Sequence, residues 1–287
     1  MRIKKDEKTK NEYILADGVW VRNYDKYGTK PLSITKLIDK SDYQPLLKNE
    51  TKNRAKNLRK IDEENIFFPK IIIVSDGYDF EQKHKMLKNV PKDVAIFAVN
   101  GSLAKWKLFT EDEKRFINFY IINNPYSDAV RYLPKRHRYY PSCLTSIRTN
   151  YEFVERYSGN IYTYEPVQED GFGKSSNAKY CIDDYRNPIC AAIGAAYRFG
   201  VQKLMLFCCD DSFQEQRAGA IQLENKLWTY PQQQVSHNII DANLYWLRQQ
   251  EDVDINVADF SSGAKYTNAA YIKNEEEFID FFKEVNN

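Results

Sequence analysis

The stretch NPICAAIGAAYRFGVQKLMLFCCDDSF, residues 187–213, decides the fold class of this chain. Its first half is typical of a helix, because Pro188 lies in the first turn, small residues fill the middle and Gly200 ends it. Its second half is an apolar strand that ends abruptly in the sequence CCDD, residues 208–211. A short, continuously apolar strand after such a helix is typical of a sheet that is buried on both faces.

The same alternation extends in both directions from this stretch. Apolar runs such as PKIIIVSDG (69–77) and DVAIFAVNGS (93–102) alternate with helical patterns over residues 70–287. Strands that are separated by helices pair in parallel with right-handed crossovers. We therefore predict an α/β fold of the Rossmann-like, doubly wound type, with a mainly parallel sheet and helices on both faces.

The beginning of the chain has a different composition. Residues 1–65 are polar, charged and weakly periodic, and we expect them to form an accessory N-terminal segment with one strand and a basic helix. Residues 66–287 are expected to form the Rossmann-like domain. Within that domain the polar, glycine-containing residues 168–187 predict a loop or lid.

Composition and charge place few limits on the partners. The chain has 42 Lys and Arg against 40 Asp and Glu, so its net charge of +2 neither favours nor excludes nucleic acid. Two local basic clusters, residues 48–60 and 133–140, keep nucleic acid open as a partner. The five scattered cysteines indicate reduced thiols, and with no secretory pattern and no apolar run of about 18 residues we expect a cytoplasmic protein without a membrane span.

Ligands of doubly wound sheets bind outside the carboxyl ends of the strands. A glycine there lets backbone N–H groups approach a phosphate, which suits Gly77, although Asp76 and Asp79 beside it would repel an anion unless a cation lay between them. The turns after the next two strands offer small polar side chains or amides that suit a nucleotide, a base or a sugar. These turns contain Asn100, Gly101, Ser102, Asn123 and Asn124, and each could equally be a plain turn.

The acids that end the strand of the opening stretch are the second candidate site. Asp210 and Asp211 could hold Mg²⁺ on a diphosphate, accept a proton or bind a ligand hydroxyl. They could also cap the element that follows. The two cysteines before them are expected to fill the core, because adjacent strand residues point to opposite faces and cannot share a metal.

Histidine is scarce, and His237 is the best acid/base candidate among the three. It lies near the start of an amphipathic helix in the sequence QVSHNIID. A lone histidine can equally be structural, and the order of residues in the chain does not indicate a Ser–His–Asp arrangement.

The opening stretch resembles the small-residue helix, glycine stop and strand-to-acid junction of the MptE-like Rossmann family. That family includes archaeal 6-hydroxymethyl-dihydropterin diphosphokinases and Maf-type flagellin glycosyltransferases, and it is distantly similar to bacterial sialyltransferases that use CMP-activated sugar. Three further stretches look like parts of the family: NRAKNLRKI (53–61), VAIFAVNGSLAKW (94–106) and INVADFSSGAKYTNAAYIKNEEEFIDFF (255–282). The resemblance covers roughly residues 50–287.

The resemblance implies a transferase that uses a nucleotide-activated donor, with glycosyl transfer in first place and diphosphate transfer second. It implies nucleotide contacts at Asn100, Gly101 and Ser102 and in the closing turn at Ser262 and Gly263. Two positions depart from the family, since its glycine-rich phosphate loop reads SDGYD here (75–79) and its Gly-x-Asp reads CCD (208–210). Either the ligand differs, or a metal such as Mg²⁺ replaces the backbone contacts, or the chain is a non-catalytic binding protein of viral or mobile-element origin.

Overall fold

The computed structural model describes most of the chain. The described residues are 3–5, 12–16, 19–22, 43–61, 64–103, 117–133, 140–166, 181–182, 184–185, 187–210, 212, 214, 218–223, 226–250 and 254–283. The chain forms two compact units, Met1–Ile34 and Thr35–Asn287. Within the described ranges, we find no helix of the length and apolar character needed to cross a membrane.

The first unit contains a small antiparallel sheet. Its strands pair in the order in which they occur in the chain, and they are β1 Ile3–Lys5, β2 Glu12–Ala16 and β3 Val19–Arg22. Strand β3 coincides with the strand expected near the start of the chain.

The second unit is built on a large parallel sheet. Its strands are β4 Arg59–Lys60, β5 Lys70–Val74, β6 Ala95–Val99, β7 Phe119–Ile122, β8 Ser142–Ser146, β9 Ile161–Pro166, β10 Cys181–Ile182, β11 Lys203–Phe207, β14 Asn256–Phe260 and β15 Ala270–Tyr271. Two short strands, β12 Ile221–Gln222 and β13 Trp228–Thr229, form a separate antiparallel pair. Every neighbouring pair that the structure describes in the large sheet is parallel, which confirms the predicted fold class.

Helices connect these strands. The described helices are α1 Tyr43–Arg54, α2 Phe80–Lys83, α3 Tyr151–Arg156, α4 Pro188–Arg198, α5 Pro231–Arg248 and α6 Glu275–Asp280, and single 3₁₀ turns occupy His84–Asn89, Asn100–Leu103 and Ser127–Tyr132. Helix α4 starts as its sequence predicts: the Asn187 side chain accepts a hydrogen bond from the Ile189 N–H, and Pro188 follows the cap. Gly200 ends this segment with a φ of 74°.

The sheet is buried on both faces, because its central strands consist almost entirely of apolar residues. Residues 71–74 of β5 and 204–207 of β11 have no measurable exposure. On one face, Phe278 of α6 packs on Phe207 and Phe260. On the other, Phe199 at the end of α4 stacks on Phe119. Helices therefore cover both faces, as predicted.

The order of strands across the sheet locates the expected ligand-binding edge. The order is β10-β9-β8-β7-β6-β5-β11-β14-β15, with β4 beside β9. From β5 the chain moves outward through β6 to β10, and it then returns to place β11 on the other side of β5. The switch in direction lies between β5 and β11, and at such a point the loops at the carboxyl ends diverge and leave a crevice.

Helix α1 belongs to the second unit, Thr35–Asn287. Its buried amides hold the loops after β7 and β8: Asn49 Nδ2 donates to Pro125 O at 2.8 Å, and Asn53 Nδ2 donates to Thr149 O at 2.8 Å. Because this attachment is polar, the sparse apolar pattern of α1 does not reveal it.

Candidate functional site

We use the name crevice for the carboxyl edge of the sheet between β5 and β11, where folds of this type bind ligands, and the turns that follow the central strands surround it. These turns are residues 75–79 after β5, 100–103 after β6, 208–212 after β11 and 261–264 after β14. They contain the candidate residues Gly77, Gly101, Ser102, Asp210, Ser262 and Gly263. The structure therefore brings together side chains that lie as much as 186 positions apart in the chain, from Gly77 to Gly263.

Asp210 is the centre of this arrangement, and its side chain is 2 % exposed. Its carboxylate lies between two glycines, because a Cβ added to Gly77 would collide with Oδ1 and a Cβ added to Gly263 would collide with Oδ2. Ser212 Oγ donates a hydrogen bond to Oδ2 at 2.5 Å. Both glycines are thus required by the position of a carboxylate, and a larger side chain at either would displace Asp210.

The same turn accounts for the backbone of Gly77. Its N–H donates to Cys208 O at 3.0 Å. A phosphate-binding turn needs such N–H groups to point at the anion. In this structure the N–H of Gly77 and the space beside its Cα are both used by residues 208–210, so Gly77 serves the junction between the two turns.

A second glycine–carboxylate pair lies one strand further along. A Cβ on Gly101 would meet the Asp76 side chain, with its Oδ1 at 3.1 Å. Asp76 follows β5 and Gly101 follows β6, so the pair joins the ends of neighbouring strands. Ser102 is fully buried, and its hydroxyl donates to Val99 O at 2.6 Å, which closes the turn. Asn100 lies in the same 3₁₀ turn, and its side chain is outside the described part of the structure.

Asp79, in the turn after β5, pairs with Lys83 of α2 and accepts a hydrogen bond from Ser262 in the turn after β14. Lys83 Nζ lies 2.5 Å from Asp79 Oδ2, and Ser262 Oγ donates to the same oxygen at 2.6 Å. Burial would raise the pKa of Asp79, but the hydrogen bonds from Lys83 and Ser262 hold it below its ordinary value. Lys83 Nζ also lies 4.1 Å from the centre of the Phe260 ring. Asp79 is therefore a buried, paired carboxylate.

Asp259 is a second buried carboxyl group near this edge; it lies within β14 and is 1 % exposed. Ser261 Oγ donates to Asp259 Oδ1 at 2.6 Å and accepts from the Cys209 N–H at 3.0 Å. Burial raises the pKa of Asp259 to about 8, and the charge of Asp210 acts in the same direction. This carboxyl group is therefore mainly neutral at pH 7.

The two cysteines of the junction are buried, as expected for core residues. Cys208 is fully buried, Cys209 is 1 % exposed, and burial raises the pKa of the Cys208 thiol well above its ordinary value. Cys208 has a φ of 51°, in the left-handed region that costs a non-glycine residue of the order of 1 kcal/mol. The end of β11 therefore makes a sharp, strained turn immediately before Asp210.

The two amides expected to recognise a ligand follow β7, and the next residue, Pro125, accepts a hydrogen bond from Asn49 of α1. Asn124 forms its own turn, since its Oδ1 accepts the Tyr126 N–H at 2.9 Å and its Nδ2 donates to Asp128 at 3.0 Å. Asn123 is 6 % exposed, and its Nδ2 has no hydrogen-bond partner among the described residues. A ligand contact of these two amides stays a prediction.

His237 lies near the crevice but does not touch Asp210. Its ring stacks on Tyr266 with 4.2 Å between centroids, and its Nε2 lies 3.2 Å from Lys265 O. Tyr266 in turn donates from its hydroxyl to Cys209 O at 2.7 Å. Burial lowers the pKa of His237, against the effect of the hydrogen bond to Lys265. The ring is half-buried. The side chain of Tyr266 lies between it and the turn that carries Asp210.

Two predicted features lie outside the described residues: Asp211 and nearly all of the predicted lid 168–187. Among the residues that the structure does describe, no group of three or more His, Cys, Asp or Glu side chains could hold a metal ion. A Mg²⁺ ion at Asp210 would therefore depend on the ligand's own phosphate oxygens or on residues beyond this set.

Comparison with solved structures gives one informative likeness. The chain is similar to a MAf glycosyltransferase from Magnetospirillum magneticum AMB-1, with a TM-score of 0.61 and 12 % sequence identity over 83 % of this chain and 41 % of that one. This chain shares its fold with the matched part of that protein. It spans less than half the length of that protein, and at this identity the likeness establishes the fold alone. No family model and no curated protein matches the chain.

Sequence reasoning missed three residues that shape the crevice: Lys83, Asp259 and Tyr266. Of these three residues, only Asp259 could have been recognised from the sequence. An acid inside the apolar run NVADF, in a strand buried on both faces, needs a special environment. Lys83 lies on a helix with charged neighbours, and Tyr266 is one of 21 tyrosines. Neither pattern distinguishes a residue at the site from one elsewhere.

Proposed function

We propose that the chain is a transferase that uses a nucleotide-activated donor, with glycosyl transfer in first place and diphosphate transfer second. The proposal rests on the position of Asp210 at the switch point of the parallel sheet. The sheet belongs to a fold that is similar to that of a glycosyltransferase. A carboxylate fixed at this position suits a ligand hydroxyl, for which it is a strong acceptor.

In this proposal the turn Asn100–Leu103 contacts the nucleotide, and Asp210 accepts a hydrogen bond from a sugar or acceptor hydroxyl. Asp76 and Asp210 place carboxyl groups at the crevice, whereas Asp79 is paired with Lys83. The carboxylates of Asp76 and Asp210 would repel a diphosphate unless a divalent cation lay between them, so we expect Mg²⁺ to favour binding of nucleotide diphosphates. His237 is proposed as an acid or base that would reach the ligand beside Tyr266.

A thermal-shift screen with CMP, UDP, GDP and ATP, each with and without Mg²⁺, tests nucleotide binding. At 10–100 times its Kd a bound nucleotide stabilises the folded state by roughly 1–3 kcal/mol. We expect the shift to disappear in Asp210→Asn and to persist in the control Asp254→Asn, which removes an exposed acid before β14. Absence of a shift with every nucleotide would contradict the proposal.

Turnover separates a transferase from a binding protein. Slow hydrolysis of a nucleotide sugar without acceptor is expected, and His237→Asn should lower its rate by about 10²–10⁴ if the ring transfers a proton. The use of the Gly77 N–H within the fold is the observation that favours a non-catalytic binding protein. In that case nucleotide would bind without release of sugar.

Helix α1 carries part of the basic cluster 48–60, which is a candidate surface for nucleic acid. Arg54 forms a bidentate pair with Glu165 at 2.7 Å and a further pair with Glu50 at 2.9 Å. Its charge is therefore neutralised within the fold. Nucleic-acid binding remains testable by its dependence on salt, and a flat response between 50 and 200 mM salt would exclude it, since about 6–10 phosphate contacts produce a loss of roughly 10³–10⁵ in affinity.

A further inference from the structure

Tyr266 is a buried side chain to which the proposed transfer reaction gives no direct part. It follows the turn after β14 and is 3 % exposed. Its ring lies against the ring of His237 in α5, and its hydroxyl donates a hydrogen bond to Cys209 O at 2.7 Å. One side chain therefore connects the proposed acid or base with the residue immediately before Asp210.

The ring of His237 is held on its face and at one edge. On its face, the Tyr266 ring lies at 4.2 Å between centroids, with 15° between the two planes. Nearly parallel rings at this distance are in contact across their faces, which restricts the tilt of the imidazole. At its edge, Nε2 lies 3.2 Å from Lys265 O. Two consecutive residues, Lys265 and Tyr266, thus fix both the plane and the direction of the ring.

The edge contact also identifies which ring nitrogen is available to a ligand. A backbone carbonyl oxygen can only accept a hydrogen bond, so Nε2 of His237 carries the proton in its contact with Lys265 O. In the neutral ring the lone pair then lies on Nδ1. Nδ1 forms no hydrogen bond with the residues that the structure describes. It is therefore the nitrogen that can take a proton from a ligand.

The segment that carries Tyr266 is itself attached to α5 and to the end of β11. Asn268, two residues further on, donates from its N–H to Oδ1 of Asp241 in α5 at 2.9 Å. Ser261, at the start of the segment, accepts the Cys209 N–H at 3.0 Å. The peptide groups on both sides of Cys209 are therefore bound, one by Ser261 and the other by Tyr266. A segment attached at both ends keeps the ring of Tyr266 in one place.

We propose that Tyr266 is a positioning residue that holds His237 at a fixed place relative to Asp210, with Nδ1 as the nitrogen that exchanges a proton with the ligand. In glycosyl transfer, Nδ1 would take the proton of the acceptor hydroxyl while the hydroxyl oxygen bonds to the sugar carbon. The bond from that carbon to the phosphate oxygen breaks, and the nucleotide leaves with the electron pair. This step rests on the proposed function, whereas the position of the ring does not.

NMR of the histidine rings tests the positioning without any ligand. The ring current of Tyr266 should move the imidazole C–H signals of His237 upfield, and the ring nitrogens should report a single neutral tautomer with the proton on Nε2. His237→Asn identifies these signals by removing them. Tyr266→Phe keeps the stacked ring and should keep the upfield position, whereas Tyr266→Leu should abolish it.

The control Tyr245→Leu replaces an exposed tyrosine of α5 and should change neither observation. His237 signals that are the same in the wild type and in Tyr266→Leu, or a proton on Nδ1 in the neutral ring, would overturn the proposal. If Tyr266→Leu fails to fold, the proposal is overturned equally by wild-type signals without the upfield position or by its loss in Tyr266→Phe.

Turnover shows whether Tyr266 acts through His237. For a nucleotide sugar that the wild type hydrolyses, Tyr266→Leu is expected to lower kcat by about 10²-fold, because a small displacement of an acid or base is enough for such a loss. In the His237→Asn background the same change should lower kcat no further, because residues that act as a unit are not additive. Equal losses in both backgrounds would indicate a general effect on the fold and would overturn the proposal. If no nucleotide sugar is hydrolysed, the proposed function fails, while the ring signals still decide whether Tyr266 positions His237.

Discussion

Single glycines decide the geometry of the crevice, because each lies against a carboxylate from a neighbouring strand end. At Gly77 a Cβ would lie 2.5 Å from Cys208 O and 2.7 Å from Asp210 O, both of which are backbone atoms. At Gly263 the nearest atoms are the side chains of Asp210 and Ser212, which can rotate. The two positions therefore differ in how much of the fold must move when a methyl group is added.

We predict that Gly263→Ala lowers the free energy of unfolding by about 1–3 kcal/mol and that Gly77→Ala lowers it by more. In the presence of Asp210→Ala, Gly263→Ala should lower the free energy of unfolding by less. Denaturant unfolding of the two single variants and the double variant should give a coupling energy of roughly 0.5–3 kcal/mol. Gly194→Ala in α4 is the comparison, since its Cβ would meet one side-chain methyl group, Ile182 Cγ2 at 2.7 Å, and no backbone atom closer than 3.8 Å. Additive effects of Gly263→Ala and Asp210→Ala would show that the carboxylate does not fill this space.

The pH dependence of stability provides a second prediction at this scale. Because the pKa of Asp259 is raised to about 8, the unfolded chain releases its proton above about pH 4 while the folded protein keeps it up to about pH 8. This contribution to the free energy of unfolding is therefore fully present below about pH 4. Between about pH 4 and pH 8 it falls by up to about 1.4 kcal/mol per pH unit. Denaturant unfolding of Asp259→Asn should lack this slope, and parallel curves for both proteins would contradict the assignment.

At the scale of elements, helix α1 closes one end of the ligand edge through polar contacts. Asn49 and Asn53 bind the carbonyl groups of the loops after β7 and β8, and Glu50 bridges to Arg148 with 3.0 Å between charged atoms. Burial would raise the pKa of Glu50, but Arg54 and Arg148 hold it below its ordinary value. The part of the edge over β7 to β9 is thus covered, and the turns after β5, β6, β11 and β14 remain as the site.

Asn53→Ala is expected to lower the free energy of unfolding by about 1–3 kcal/mol, because the carbonyl groups of Ile147 and Thr149 lose a buried donor. Lys48→Ala on the exposed face of the same helix is the matched control and should stay within about 0.5 kcal/mol of the wild type. Equal effects of the two changes would show that α1 does not hold these loops.

At the scale of the whole molecule, the position of each strand in the parallel sheet determines which backbone amides open to solvent last. Strands β5, β6 and β11 are paired on both sides and buried on both faces, whereas β10 and β15 are two-residue strands at the ends of the order. Such differences in burial and pairing determine local opening.

Hydrogen exchange followed by mass spectrometry should therefore find the slowest amides in β5, β6 and β11 and faster exchange in β10 and β15. The β8 and β9 strands serve as an internal reference, because both are paired on two sides yet lie nearer the end of the order. Uniform exchange across the sheet, or slowest exchange at β15, would contradict this description of the core.

The sequence by itself determined the fold class, the main strands of the sheet and the two ends of helix α4. Buried parallel strands need unbroken apolar runs, and helix ends need caps and glycines, so these features are written in local sequence. Asp210 was singled out as a candidate in the same way, because an acid at the end of a buried strand is unusual.

Only the tertiary structure decided what surrounds Asp210. Gly77 and Gly263 indicated phosphate or nucleotide contacts, but the fold uses both to make room for a carboxylate from β11. The buried acid Asp259, the ion pair at Lys83 and the polar attachment of α1 also depend on residues far apart in the chain. Close approach of such segments follows from the order of strands across the sheet, which no local pattern of residues contains.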